Sequence, residues 1–223
     1  MTHRRLRRVH SLALAVLLAA ACAKPAPLSQ PGDARFTGAA PDSFDVEVLT
    51  TKGPMTVRVR RDWSPNGADR VYALVRNHFY DGLPFFRVVR GFVAQVGLPV
   101  DTAVAAAWRT RTIPDDSVRT PNRRGTVSFA RQAPGTRTTQ LFFNLGDNAA
   151  LDRLDGVGYA PVGRVTEGMP VLDALESEYS GTAGRELPGP SQDSIRAQGD
   201  AYLLRAFPRL DRIERARVVA TWR

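Results

Sequence analysis

FFRVVRGFVAQVG, residues 85–97, carries an arginine, a glutamine and apolar residues on two short runs separated by a Gly turn. Strand side chains alternate with period two, so Arg87 and Val89 share one face of the first run and Val93 and Gln95 share one face of the second. A cation then lies beside an amide on an otherwise apolar surface. Burying an arginine without partners is costly. The pattern therefore predicts either an accessible cleft or an ordinary hairpin whose arginine points to water.

The same periodicity recurs outward from this stretch. Phe44, Val46 and Val48 alternate with Asp45 and Glu47, and alternation resumes over 55–60 after Lys52 and Gly53, which predicts a hairpin. Asn66 is the expected N-cap of a helix, with Asp69 three residues on and Ala68, Val71, Tyr72, Val75 and Phe79 at helical spacing. Strands are expected over 127–130, 141–145 and 162–166, a second helix over 171–178, and a closing strand over 213–222. Residues 98–124 read as a partly ordered surface excursion, 188–190 as a loop, and 200–206 as a short helical turn before Pro208. Periodicity alone leaves a barrel and a sandwich both open.

The first residues differ in kind. Arg4, Arg5, Arg7 and Arg8 precede an apolar run over 12–21 that ends in three alanines before Cys22, the pattern of a secretory leader and too short for a comfortable membrane span. Cys22 is the only cysteine, so no intrachain disulfide can form. Its setting resembles the bacterial lipobox, although the leucine stands one step early, at Leu18; simple secretion with cleavage near Cys22 is the alternative. Residues 22–42, rich in proline, are expected to form an extended tether, and 43–223 the folded domain. In this reading the protein is exported and lipid-anchored facing the periplasm, with the outer membrane preferred because no aspartate follows Cys22.

Residues 1–21 hold four arginines and no acids, so their removal lowers the net charge from +9 to +5. That surplus carries no basic stripe with interleaved aromatics, and no nucleic-acid partner is expected. Outside the leader His78 is the only histidine. A Ser-His-Asp triad or a histidine metal site would have to be built on that ring, which sits where it suits a helix C-terminus. Residues 152–163 contain glycines but neither the Walker lysine nor EF-hand alternation. No metal and no cofactor are expected.

Tyr80-Asp81-Gly82, residues 85–97 and residues 125–144 (GTVSFARQAPGTRTTQLFFN) together resemble the cyclophilins, the barrel class of peptidyl-prolyl cis/trans isomerases, and the likeness runs from Phe44 to the C-terminus. The resemblance implies a mostly β fold, a closed antiparallel eight-stranded barrel capped by two α-helices. It implies that Arg87 is the catalytic arginine and that Gln95 orients it and the substrate carbonyl. Phe92, Val93, Phe142 and Leu154 match residues that grip the proline ring, Tyr159 falls at a position usually histidine or aromatic, and Ala130, Arg131 and Gln140 match the groove upstream of the proline. The implied substrates are proline-containing unfolded or flexible protein segments, and a monomer is expected. Phe86 replaces a usual His, Val96 a Gly and Arg131 an Asn, while Arg153 stands where some members carry Trp. Phe86, Val96 and Arg131 motivate, as the alternative, a proline-peptide-binding or chaperone module with weak catalysis.

Overall fold

The computed structural model describes residues 27–223. The expected leader, Cys22 and residues 23–26 lie outside the described residues. In chain order the elements are β1 (Ser43–Thr50), β2 (Gly53–Arg60), α1 (Pro65–Arg76), β3 (Arg87–Val89), β4 (Val93–Val96), α2 (Thr102–Trp108), β5 (Thr126–Phe129) and β6 (Leu141–Asn144). They continue with β7 (Pro161–Glu167), α3 (Met169–Asp173), β8 (Gly181–Thr182), β9 (Arg185–Glu186), α4 (Gln192–Gln198), α5 (Asp200–Ala206) and β10 (Ile213–Trp222).

Eight strands form one antiparallel sheet in the order β10-β1-β2-β7-β5-β6-β4-β3. The sheet curls as expected of a barrel, but its ladder is open rather than closed, because β3 and β10 are edges. The edges meet just ahead of both strands: Pro84 bridges Arg212, and the Gly82 and Phe85 amides donate to the carbonyls of Ile213 and Asp211. Pro84 has no N–H to give, so a continuous ladder cannot form there. Alternation in β1 and β2 sends Phe44, Val46, Val48, Met55, Val57 and Val59 to one interior, which Val127, Phe129, Leu141 and Phe143 fill from the other side. Burying each such side chain contributes about 1.5–3 kcal/mol.

Helix α1 buries Ala68, Val71, Leu74 and Val75 against that interior. It begins ahead of the expected Asn66 cap, with Pro65 in its first turn, where a missing N–H is tolerated. The cap comes from a distant residue: Asp116 accepts from the Ser64 hydroxyl and from the Asn66 and Gly67 amides. At the other end His78 takes φ 61° while the Phe79 amide returns to the Leu74 carbonyl, a left-handed helix stop.

Five α-helices stand among the described residues where two were expected. The expected second helix is the short α3; beyond it Asp211 accepts the Glu176 amide. Helix α2 orders part of the 98–124 excursion, its N-terminus capped by Asp101. Helices α4 and α5 belong to the segment 176–211, and their Ile195 and Leu203 bury with Phe86, Leu98 and Leu210 in a second, smaller core. Phe86 at a usual His position is thereby accounted for, since it anchors this segment. The expected tether is also corrected. Phe36 and Ala40 are buried, Phe36 meets Trp108 edge-on at 5.0 Å, and the Trp108 indole donates to the Leu28 carbonyl. The packed domain therefore reaches back to Leu28, because apolar Leu28 and Phe36 find cover beside α2 that the proline content did not reveal.

Candidate active site

The candidate site residues lie along the outer face of β3-β4-β6-β5. Arg87 lies directly opposite Gln95, Gln95 opposite Phe142, and Phe142 opposite Ser128, so one row crosses four strands. Cross-strand partners point to the same side of a sheet. Val89 and Val93 pair in a neighbouring row on the same face, as alternation predicts. On β6, Leu141 and Phe143 turn to the core while Phe142 turns outward, yet Phe142 is only 5% exposed because loops cover it.

Around this row the side chains divide into three groups. Arg87 places its guanidinium carbon 5.6 Å from the centre of the Phe92 ring, and its Nη2 donates to Glu186 Oε1 at 3.1 Å. Its side chain keeps a third of its surface exposed and Glu186 about half, so the cation is open to solvent and its partner is not a buried carboxylate. Gln95 donates to Gln140 at 2.8 Å, and Gln140 donates to Gln192 of α4 at 3.1 Å. Phe142 meets Tyr159 edge-on at 5.7 Å, and the Arg131 guanidinium stacks 4.1 Å from the centre of the Tyr159 ring.

Arg131 lines the groove with Ala130 and Gln140, but its guanidinium is buried. Its side chain has no exposed surface, with Asp115 and Asp155 each at 3.8 Å and the Leu154 carbonyl at 3.5 Å from Nη2. It backs Tyr159 and the 154–156 turn instead of offering a free cation. Leu154, on that turn, is 44% exposed. Gly158 shapes the same loop: at φ 65° its backbone lies against the Asp152 carbonyl, where a β-carbon would collide. Replacing Arg131 with Met is expected to raise KM for a prolyl peptide several-fold through loss of this cation–π backing, checked by peptide kinetics.

Ala130 donates its amide to the Gln140 carbonyl, and together with Gln95, Trp108, Arg131, Gln192 and Arg196 these residues line a cavity of about 410 Å³ that shares Gln95 with the row. Below the pocket Asn122 accepts from the Ser128 hydroxyl and from Asn144, and donates to the Tyr159 carbonyl and Asp152. Asn148 donates to the Phe92 carbonyl. These amides fix the walls that hold Phe92 and Tyr159, and periodicity gave no sign of them. Glu186 and Gln192 were likewise unforeseen, because they belong to the segment 176–211, which has no strong apolar period. No group of three or more His, Cys, Asp or Glu among the described residues is arranged to hold a metal ion.

The model of the cyclophilin type peptidyl-prolyl cis-trans isomerase family matches residues 44–196. The chain belongs to the cyclophilin family. This cyclophilin is 32% identical over 150 residues to a peptidyl-prolyl cis-trans isomerase of Acinetobacter baylyi, an alignment covering 66% of this chain and 79% of the relative. It is 30% identical over 151 residues to peptidyl-prolyl cis-trans isomerase B of Escherichia coli, covering 66% and 92%. In fold it is similar to a cyclophilin type isomerase of Cryptosporidium parvum, with a TM-score of 0.57 at 18% identity, over 80% of this chain and 99% of the other. The cyclophilin is a peptidyl-prolyl cis-trans isomerase.

Proposed function

We propose that Arg87 and Gln95 carry the isomerisation, with Phe92, Val93, Phe142, Leu154 and Tyr159 holding the proline ring and Ala130 and Gln140 the preceding backbone. The observation that supports this assignment is the row in which Arg87, Gln95 and Phe142 face the same side of three adjacent strands. Rotation about an X-Pro bond breaks no covalent bond but faces resonance worth roughly 18–20 kcal/mol. A twisted amide localises the lone pair on the ring nitrogen. A guanidinium that donates to that nitrogen binds the twisted state better than the planar one, which lowers the barrier. A millionfold acceleration requires about 8 kcal/mol of such preference, so the apolar surroundings have to strengthen one donor beyond its worth in water.

We further propose that the substrates are proline-containing unfolded or flexible segments of envelope proteins, met from a lipid anchor on Cys22. The arginine-rich leader and the setting of Cys22 support this reading. The domain packs from Leu28 onward, which leaves five residues between it and Cys22. At full extension they span at most about 18 Å, so the domain would work close to the membrane surface. A protease-coupled prolyl assay is expected to show catalysis; equal affinity for proline and alanine peptides without catalysis would identify a binding module instead. Cells fed a palmitate analogue are expected to label the protein, and Cys22→Ser is expected to abolish the label.

A further inference from the structure

Arg87 and Gln95 are directly opposed across β3 and β4, yet among the described residues no hydrogen bond joins their side chains. Each is drawn the other way: Gln95 donates to Gln140, and Arg87 donates to Glu186. The carboxylate is brought there by the segment 176–211. Its β8–β9 hairpin pairs Gly181 with Glu186, and the hairpin in turn is tied to the β3–β4 turn, where the Arg90 amide donates to the Gly181 carbonyl and the Ala183 amide to the Arg90 carbonyl. The Arg90 Nε also donates to the Ser177 hydroxyl. A glutamate is thus fixed by backbone bonds at the one arginine of the row.

An anion at this place opposes catalysis in two ways. It occupies a donor, and it offsets the positive charge that the ring nitrogen of a twisted amide would meet. Both side chains are partly exposed, so the pair is weak enough to open. Resting on the assignment of Arg87 above, we propose that Glu186 is a positioning residue that holds Arg87 in a resting pose away from Gln95, a self-restraint that a bound prolyl peptide has to displace.

The test compares the full protein with E186Q, R87A and the double variant on an uncharged proline peptide, at low salt and at about 1 M salt, where exposed pairs are screened. E186Q is expected to raise kcat/KM about two- to fivefold at low salt, the factor that an exposed ion pair sets. The gain is expected to vanish at high salt and in the R87A background. Unchanged or lowered kcat/KM in E186Q, or a gain that survives high salt or the loss of Arg87, would overturn the restraint. Exchange that depends on Arg87 but not on Glu186 would leave the catalytic assignment standing; exchange unaffected by R87A would remove that assignment itself.

Discussion

Arg87→Ala is expected to lower kcat/KM by roughly 100- to 1,000-fold, the cost of removing one preorganised donor to developing charge. The loss should appear in kcat, because the guanidinium binds the twisted amide more strongly than the ground state. The fold should survive. Arg87 is part-exposed at an edge strand, and its ion pair is with the exposed Glu186, so stability is expected to change by no more than about 1 kcal/mol. Arg87→Lys should not restore the rate, since a compact ammonium lacks the planar fork that can reach the nitrogen while remaining over Phe92. Peptide kinetics with circular dichroism of each variant checks both parts.

The largest effect on stability is expected at Asp116. Its side chain and that of Arg137 are each 4% exposed and 3.0 Å apart, and Asp116 also receives the Ser64 hydroxyl at 2.5 Å and the Gly67 amide at 3.0 Å. Arg137 further meets Asp115 at 3.0 Å and donates to the Pro114 carbonyl. Breaking a buried pair by removing one charge costs about 3–5 kcal/mol. Asp116→Asn should fall toward the lower end, because Asp115 still offsets part of the Arg137 charge. Urea unfolding at neutral pH reads this directly.

The same group predicts an acid dependence. Burial pushes the Asp116 carboxyl up, but the Ser64 hydroxyl, the Arg137 guanidinium and the Gly67 amide outweigh it and hold the group below the usual carboxylate range. A carboxyl with a lowered folded value stabilises the protein fully above its unfolded value of about 3.9, and that contribution is lost as pH falls through the folded value. The protein should therefore lose stability more steeply below about pH 4 than Asp116→Asn does. Parallel slopes for the two would contradict this role.

Period-two patterning was sufficient to place Arg87, Val89, Val93 and Gln95 on one face, because in a strand the face of a side chain follows from local geometry alone. It also placed β1, β2 and β10 close to their observed ends. What it could not show depends on residues far apart in sequence. Asp116 caps α1 from some fifty positions away, so Asn66 looked like the cap. Arg131 read as a groove cation because its burial rests on Asp115, Asp155 and Tyr159, three loop positions without periodicity. The curl of the sheet was legible, but its opening at Pro84 depends on a contact with Arg212 that no local signal announces. Phe86 read as a departure until α4 and α5 supplied Ile195 and Leu203 to cover it.

Two-dimensional exchange NMR of a proline peptide at saturating protein measures the bound cis–trans rate and the affinity together. With Arg87→Ala the peptide should still bind, with Kd within a few-fold of wild type, while bound-state exchange falls by at least about a hundredfold. Exchange at the wild-type rate on a peptide that remains bound would contradict the account.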